Sequence, residues 1–250
     1  MNIYVVNILI ILVTAAVSYF FGSIPTGIVI GKVFFHKDIR EYGSRNSGGT
    51  NAGRVLGKKI GILVIVLDML KTVIPFFACW AILTYCQPVA QYTYWGNGYH
   101  AAPLYYWGSA LCAAIGHCWS IFLKFHGGKA VSCFMGVNVL TMWIEFVLAG
   151  FTYLYIAAKK KYISLASICT AIVAALVTWV IAIIAVTVPW NPHWLTWLIT
   201  IEEAPFIGIE CAIVNTLVAV LLVARHKANI KRLREGTESI NPFSKSASSN

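Results

Sequence analysis

The sequence has little charge. Asp, Glu, Lys and Arg make up only 11% of its 250 residues, whereas apolar residues make up 59% and the mean hydropathy is +0.74. A soluble domain normally carries about 25% charged residues, because its surface must be solvated. This shortage excludes an ordinary soluble domain and indicates that lipid is the main solvent of the chain.

The patterns of a metal site and of a disulfide framework are also missing. The seven cysteines include no Cys-x-x-Cys pair and mostly lie within apolar runs, which favours small buried side chains. No basic residue precedes the first apolar run and no small-residue cleavage site stands out, so we expect a retained span and not a signal peptide. The sequence contains no evident internal repeat and indicates no metal and no cofactor.

Six apolar runs are long enough to cross a bilayer, which requires about 20 residues of helix. Closed β-barrels give short alternating segments instead, so the runs predict an all-α polytopic membrane protein. The runs are Ile3–Phe21, Ile60–Tyr85, Leu104–Leu123, Val131–Ala158, Ile163–Val188 and Pro205–Ala224.

Basic residues are confined to a few segments, which predicts the topology. Short cytoplasmic loops retain Lys and Arg, so the basic segments are expected inside, and the loops without Lys or Arg, here called the bare loops, are expected outside. Apart from Lys32 and Lys71, the basic residues lie in His36–Lys59, Lys124–Lys129, Lys159–Lys161 and after Ala224. The bare loops, Gln87–Pro103 and Pro189–Ala204, carry an aromatic belt: Tyr92, Tyr94, Trp95, Trp190, Trp194 and Trp197.

The two central basic segments impose a condition on the run between them. Both are expected in the cytoplasm, so Val131–Ala158 must form two short spans or a re-entrant hairpin, turning near Thr141–Glu145; one long tilted helix would break the charge rule.

Counting the pair gives seven transmembrane helices, with the N-terminus outside and the C-terminus cytoplasmic. Residues 1–238 are expected to form one domain, and 239–250 a polar, disordered tail.

The first basic loop contains the polar stretch Gly43-Ser-Arg-Asn-Ser-Gly-Gly-Thr-Asn51. Glycines let backbone N–H groups converge on an oxyanion, and the side chains of Ser44, Thr50 and Asn51 add donors. Arg54 supplies the charge and fork geometry that phosphate favours, as does Arg45. The spacing does not match a P-loop. A phosphate site and a flexible polar loop both remain open.

The second basic segment follows Gly116-His117 and ends in Gly127-Gly128-Lys129. Two glycines before a lysine at a helix start would form an anion cradle, assisted by the helix dipole. A basic turn that merely follows the positive-inside rule is the alternative. For His117, a packed polar role and a catalytic role are both open.

Three further positions are candidates. Ser164 is placed as the N-cap of a helix, although its hydroxyl could equally face a phosphate. Asn229 lies one turn from His226 on a basic helix, whose alternative role is contact with anionic lipid headgroups. Asp68 and Lys71, at i and i+3 within a span, are expected to form a structural ion pair, although Asp68 could also border a cytoplasmic pocket.

All four basic segments are expected on one side of the membrane. This placement predicts an interfacial site for a lipid-like substrate and a polar, anionic one. An organic-phosphate transporter is the alternative function, but it would gather cations around a midplane site between repeated halves.

Together these motifs resemble the acyl-phosphate:glycerol-3-phosphate acyltransferases (PlsY) over nearly the whole chain. Order, spacing and predicted membrane side all agree. The stretches that carry the resemblance are Gly22-Ser-Ile-Pro-Thr-Gly27, Gly43–Asn51 with Arg54 and Leu56-Gly57, Leu67-Asp68-Met-Leu-Lys71, Gly116-His117, Phe125-His-Gly-Gly-Lys129, Tyr162–Ser167, and His226–Ile230 with Arg232-Leu233 and Gly236-Thr237-Glu238.

The resemblance implies transfer of an acyl chain from acyl phosphate to the sn-1 hydroxyl of glycerol 3-phosphate, giving lysophosphatidate and inorganic phosphate in phospholipid synthesis. It implies a multi-pass protein of the bacterial inner membrane, with its site on the cytoplasmic side, lipid around it and no nucleic-acid partner. The catalytic and phosphate-binding roles then fall on Ser44, Arg54, Lys129, Ser164, His226 and Asn229. Substrate binding falls on Gly127 and Gly128, which hold glycerol phosphate, and on Thr50, Asn51, Asp68 and His117.

The chain departs from the family pattern at a few positions. Ala228 stands where an acidic residue commonly precedes the asparagine, so the role of that carboxylate is lost or passes to Glu235 or Glu238. The other departures are Arg45, Ser47, Trp119, Ser120 and Ala130.

Overall fold

The protein is built from helices. A computed structural model describes residues 2–94, 100–187 and 208–240, and these ranges contain helices and no strand. The predicted tail from residue 241, Trp95, the loop Pro189–Ala204 and the first residues of Pro205–Ala224 lie outside the described residues. In chain order the helices are α1 (Ile3–Ser23), α2 (Thr26–Phe35), α3 (Gly49–Leu56), α4 (Lys58–Tyr85), α5 (Gln87–Ala90), α6 (Ala102–Cys118), α7 (Val131–Thr141), α8 (Trp143–Lys160), α9 (Ile163–Thr187), α10 (Ile209–Arg225) and α11 (Lys227–Arg234).

Three of the described helices are long and apolar enough to cross a membrane. They are α1, α4 and α9, with mean hydropathies of 2.3, 2.2 and 2.7. Helices α10 and α11, bent by 56° at their junction, make a fourth if the pair is taken as one span. Helix α6 has 17 residues, and α8 carries Glu145, Lys159 and Lys160. Seven spans and the orientation of the termini therefore stay predictions.

The run Val131–Ala158 forms two helices. Helix α7 ends at Thr141 and α8 begins at Trp143, because Met142 between them is extended, with φ −160° and ψ 155°. The predicted break near Thr141–Glu145 is confirmed. The 11 residues of α7 measure only about 16 Å, well short of the bilayer core.

Small residues bring the helices of the bundle close together. A Cβ added at Gly22 in α1 would lie 2.0 Å from the carbonyl oxygen of Ala113 in α6. One added at Gly116 would lie 2.2 Å from the carbonyl oxygen of Tyr19. Such close backbone approach is typical of helices that pack within lipid, where apolar burial from water gives no driving force. Bulky apolar side chains such as Val13 and Val17 point outward and are 61% and 63% exposed.

The two ends of the bundle differ. At one end the Asn7 amide donates to the carbonyl oxygen of Tyr92 at 3.0 Å and accepts from the Tyr105 hydroxyl, which ties the N-terminal helix to α6 and to the segment before it. At the other end Arg225 contacts Gly127 and Gly128, and Lys129 contacts Asn229. Two of the basic segments expected on one membrane side, Lys124–Lys129 and the residues after Ala224, thus meet at this end of the molecule.

The close contact between α1 and α6 can be tested within one helix. We expect Gly116→Ala to lower the thermal stability of the purified protein, because its Cβ would overlap the backbone of α1 and overpacking is destabilising by about 1–3 kcal/mol. The control is Gly108→Ala, also in α6, whose Cβ would meet no atom within 4 Å. Thermal unfolding in detergent measures both variants. Equal stability of the two would contradict the packing described here.

Candidate active site

A cavity of about 460 Å³ lies at the basic end, among α3, α4, α6, α7, α8, α9, α10 and α11. It brings together residues from three of the four basic segments of the sequence and from the start of α9, which follows the remaining segment, Lys159–Lys161. Ten of the twelve predicted site residues line it: Ser44, Thr50, Asn51, Arg54, Asp68, His117, Lys129, Ser164, His226 and Asn229. Gly127 and Gly128 do not line it.

The loop before α3 is held in shape by the side-chain amide of Asn51, which is 1% exposed. The amide nitrogen donates to the carbonyl oxygens of Ile39, Tyr42 and Asn46 at 2.7, 3.2 and 2.9 Å. The amide oxygen accepts from the backbone N–H and the hydroxyl of Ser44 at 2.8 and 3.2 Å. Asn51 therefore fixes the position of Ser44 at the cavity wall.

The residues on either side of Ser44 adopt left-handed backbone conformations. Gly43 has φ 59°, and a Cβ there would lie 2.5 Å from the amide oxygen of Asn51, so this turn requires glycine. Arg45 has φ 57°, a conformation disfavoured for residues with a side chain. Its side chain is exposed and does not line the cavity.

The second half of the predicted first loop is helical, so the interpretation of the whole stretch as a loop is wrong. Helix α3 begins at Gly49, and its first residues, Gly49 and Thr50, line the cavity. The preceding residue, Gly48, offers no side-chain cap. A helix start presents unpaired N–H groups and the positive end of the dipole, which together favour a bound anion.

Helix α3 is locked onto the beginning of α4. A Cβ at Gly49 would lie 2.8 Å from the carbonyl oxygen of Gly61, and one at Gly61 would lie 2.5 Å from Cα of Gly53. Gly57 alone joins the two helices, and its φ of 96° is one that other residues rarely adopt. Arg54 is therefore carried to the cavity by a unit that is continuous with α4.

Glu238 connects three parts of the site. Its Oε1 accepts from the Ser164 hydroxyl at 2.8 Å and from the Asn229 amide at 2.7 Å, while Oε2 accepts from Arg232 Nε at 2.8 Å. The Asn229 oxygen in turn accepts from Lys129 Nζ at 2.8 Å. Burial raises the pKa of the Glu238 carboxyl, but its three donors and the charge of Arg232 outweigh burial and leave the pKa below its ordinary value. Glu238 is thus an ionised carboxylate that links Ser164, Asn229 and Arg232.

Lys129 lies in surroundings rich in positive charge. Burial lowers the pKa of its amine to about 8; Glu238 opposes this shift, while Arg232, Arg54 and Arg225 reinforce it. A bound anion would relieve this repulsion. The polar end of the cavity is therefore suited to a phosphate group.

The loop that leads to Lys129 folds back onto the end of α6. The N–H groups of Gly127 and Gly128 donate to the carbonyl oxygens of Cys118 and His117 at 3.1 and 2.9 Å. The predicted anion cradle from these two N–H groups is therefore not formed. Glycine is required at position 127, because a Cβ there would lie 2.0 Å from the carbonyl oxygen of His117.

Arg225 holds the same loop from α10. Its Nε and Nη2 donate to the carbonyl oxygens of Gly128 and Gly127, both at 3.0 Å, and its guanidinium lies 5.7 Å from the ring centroid of Trp119. Two parallel bonds from a planar guanidinium fix the direction of the loop. Sequence reasoning missed this residue, because it formed part of a basic run and its partners lie 97 and 98 residues away.

Asp68 and Lys71 form the predicted ion pair. Their oxygen and nitrogen are 2.6 Å apart, and both side chains are buried. The hydroxyl of Thr26 donates to the same Oδ1 at 2.5 Å, and His117 Nδ1 lies 3.7 Å from it. Lys71 also donates to the carbonyl oxygen of Ile24. Because Lys71 compensates its charge, Asp68 can border the cavity without repelling an anion.

The tautomer of His226 follows from one contact. Its Nδ1 lies 2.8 Å from the carbonyl oxygen of Leu222, and a carbonyl oxygen only accepts. Nδ1 therefore carries the proton of the neutral ring, and Nε2 is left as an acceptor. His226 is 3% exposed and lines the cavity together with Asn229.

The structure corrects the predicted role of Ser164 and shows which glutamate lies where the acid expected at position 228 would act. Helix α9 begins at Ile163, so Ser164 lies inside its first turn, donates to Glu238 and is not an N-cap. Of the two carboxylates considered in place of an acid at position 228, Glu238 lies in the site. Glu235 is exposed and lies 3.8 Å from Lys231.

Beyond its polar end, the cavity continues as an apolar arm between α7, α8 and α9. Its walls include Phe134, Met135, Phe146, Gly150 and Leu154. Phe146 lies 14 residues before the end of α8, about 21 Å along the helix. A Cβ at Gly150 would meet no atom within 4 Å, so the arm is open at this point.

Known proteins are similar to this chain in sequence. The family model described as glycerol-3-phosphate acyltransferase matches residues 12–236. The glycerol-3-phosphate acyltransferase of Staphylococcus aureus (strain bovine RF122 / ET3-1) is 34% identical over 229 residues, which are 91% of this chain and 96% of that relative. The protein of Staphylococcus aureus strain JH9 has the same identity and coverage.

Solved structures share the fold. The crystal structure of PlsY (YgiH), an integral membrane glycerol 3-phosphate acyltransferase, is similar in its glycerol 3-phosphate form with a TM-score of 0.69 and in its lysophosphatidic acid form with 0.67. Each is 28% identical and covers 92% of this chain and 94% of the solved one. The helices described here therefore form an integral membrane protein, and the chain belongs to the glycerol-3-phosphate acyltransferase family.

Proposed function

We propose that the protein transfers an acyl chain from acyl phosphate to the sn-1 hydroxyl of glycerol 3-phosphate, releasing lysophosphatidate and inorganic phosphate. One observation carries this proposal: a single cavity has a cationic end, lined by Arg54, Lys129 and Arg232, and an apolar arm between α7, α8 and α9. Phosphate and alkyl chain are the two parts of an acyl phosphate. Solved PlsY structures in glycerol 3-phosphate and lysophosphatidic acid forms support the acceptor and the product.

Two phosphate groups must be bound at once, one from each substrate. In this proposal Ser44, Arg54, Lys129 and Ser164 contact phosphate oxygens, and Thr50 contributes from the start of α3. The remaining predicted residues act through these: Asn51 positions Ser44, Gly127 and Gly128 shape the loop that presents Lys129, and Asp68 contacts His117 at the cavity wall.

The chemical step is a direct transfer. The glycerol hydroxyl oxygen attacks the acyl carbonyl carbon, the carbon–oxygen bond to phosphate breaks, and the bonding pair leaves with phosphate, one of whose oxygens takes the hydroxyl proton. His226 and Asn229, which both line the cavity, orient the glycerol backbone so that its sn-1 oxygen faces the acyl carbon while the hydroxyl proton points to the phosphate oxygen. Acyl phosphate is an activated mixed anhydride, so positioning and charge stabilisation suffice without an acyl-enzyme.

The membrane placement is also proposed. Seven spans with the N-terminus outside, a single domain over residues 1–238 and a polar tail over 239–250 put the cavity at the cytoplasmic face of the bacterial inner membrane. The meeting of three of the four basic segments at this cavity supports this orientation through the positive-inside rule.

The transporter alternative is not supported. Transport sites for organic phosphates lie near the membrane midplane between repeated halves. Here Arg54, Lys129 and Arg232 gather at one end of the bundle, and the relatives are acyltransferases.

The reaction itself can be tested with purified protein in detergent or lipid. Acyl phosphate and glycerol 3-phosphate together are expected to yield lysophosphatidate and inorganic phosphate in equal amounts, and acyl-CoA in place of acyl phosphate is expected to yield neither. Phosphate release that does not depend on glycerol 3-phosphate, or movement of glycerol phosphate into vesicles without turnover, would overturn the proposal.

Removal of the Lys129 amine is expected to lower kcat by about 100-fold or more, because one preorganised cation at a reacting phosphate contributes on this scale. Lys129→Ala is compared with Lys124→Ala, which removes an exposed amine from the same loop outside the cavity. Steady-state phosphate release measures both variants, and melting temperatures confirm that both fold. Near-wild-type kcat in Lys129→Ala would remove this residue from the site.

The lowered pKa of Lys129 predicts that activity falls at alkaline pH. Because the amine is charged below a pKa of about 8, we expect kcat/KM for glycerol 3-phosphate to decrease as pH rises through that value. Lys129→Arg keeps its charge throughout this range, so its decrease should move to higher pH. Initial rates at constant ionic strength give both profiles. If kcat/KM decreased over the same pH range in the wild type and in Lys129→Arg, another group would be responsible for the decrease.

The apolar arm predicts a chain-length effect at Gly150. Gly150→Leu would place a branched side chain in the arm, while glycine-to-leucine favours the helix by up to about 1 kcal/mol, so the fold is retained. We expect at least a roughly tenfold loss of kcat/KM for long-chain acyl phosphate, with short chains largely spared. Gly108→Leu in α6 is the matched control outside the cavity. An equal loss of kcat/KM for acyl phosphates of all lengths would show that the acyl chain does not lie in the arm.

A further inference from the structure

Two oxygen atoms in the apolar arm have no hydrogen-bond partner among the described residues. They are Asn138 Oδ1 and Thr170 Oγ1; their residues are 1% and 8% exposed, and both residues line the cavity. Buried polar atoms are rarely left unpaired, because the group has lost its water and gained nothing in return. An alkyl chain lying in the arm would not supply the missing partner.

The conformations of the two side chains leave these atoms free for a ligand. The Asn138 nitrogen donates to the carbonyl oxygen of Phe134 at 2.7 Å, which fixes the amide and leaves Oδ1 as an acceptor. Elsewhere on α9 the hydroxyls of Ser167 and Thr178 donate to carbonyl oxygens four residues earlier, at 2.9 and 2.8 Å. This bond is common for helical hydroxyls. Thr170 does not make it.

The two atoms lie partway along the arm. Thr170 is six residues beyond Ser164 in α9, about 9 Å along the helix, and Asn138 is seven residues beyond the start of α7 at Val131, about 10 Å. One leaflet of the hydrocarbon core is about 15 Å thick, half of the bilayer value. A membrane-length chain whose phosphate is held at the cationic end therefore passes both residues before it ends.

We propose that Asn138 and Thr170 form a subsite within the arm that binds a hydroxyl group. The inference rests on the proposed function, because it takes the arm to hold the acyl chain. Asn138 Oδ1 accepts the hydroxyl proton, and the Thr170 hydroxyl donates to the ligand oxygen. The hydroxyl belongs either to the middle part of a substituted acyl chain or to a water molecule beside an unsubstituted one. In both cases the pair makes the enzyme sensitive to polarity in the middle of the chain.

The test compares acyl phosphates of equal length, one unsubstituted and the others carrying a single hydroxyl at successive positions. Thr170→Val removes the unpaired oxygen at nearly constant shape, and Asn138→Leu does the same for the amide. Thr152→Val is the matched control, because Thr152 lies on α8 outside the cavity and donates to its own helix at Leu148. Since Thr170 Oγ1 has no partner, Thr170→Val is expected to fold with undiminished thermal stability.

For a chain hydroxyl, the wild type should favour one mid-chain position, and Thr170→Val should lower its kcat/KM about tenfold relative to the unsubstituted chain. For a bound water, no position should be favoured, and Thr170→Val should raise kcat/KM for the unsubstituted chain severalfold. Unchanged ratios in Thr170→Val and Asn138→Leu, matching Thr152→Val, would overturn the subsite. A wild type inactive with every acyl phosphate would instead defeat the proposed function.

Discussion

The geometry of the site depends on one buried carboxylate. Glu238 accepts hydrogen bonds from Ser164, Asn229 and Arg232, and through Asn229 it reaches Lys129. Without a central negative charge, the cations that surround the cavity would repel one another and the ends of α9 and α11 would have no common partner. A single carboxylate therefore holds Arg232 directly, and Lys129 through Asn229, near a shared space.

Several features of the fold and site could be predicted because they follow from local rules. Hydropathy locates the helices, since each must bury its own backbone polar groups in lipid. The positive-inside rule predicted a break within Val131–Ala158, and the extended backbone of Met142 provides it. The spacing of Asp68 and Lys71 places both on one helix face, which is sufficient to pair them. The convergence of the basic segments follows from the same charge rule.

Other features could not be predicted because they arise from contacts between distant segments. Arg225 binds the carbonyl oxygens of a loop almost 100 residues away, and backbone carbonyls leave no trace in a sequence. The glycines of that loop were expected to present N–H groups to an anion, but the return of the chain onto α6 consumes both. Ser164 illustrates the same limit: its position in the first turn fitted a cap, and only the folded chain shows Glu238 next to it.

The glycine contacts between α3 and α4 connect the site to a long apolar helix, so the tilt of that helix affects the position of Arg54. Helix α4 has 28 residues, about 42 Å, which exceeds the roughly 30 Å hydrocarbon core and obliges the helix to tilt or to extend beyond it. A thinner bilayer increases the tilt of such a helix, and a thicker one reduces it. Because Gly57 is the sole residue between α3 and α4, such a rotation also reorients Arg54. A change in bilayer thickness that altered the tilt of α4 would therefore be transmitted to Arg54 through the backbone itself.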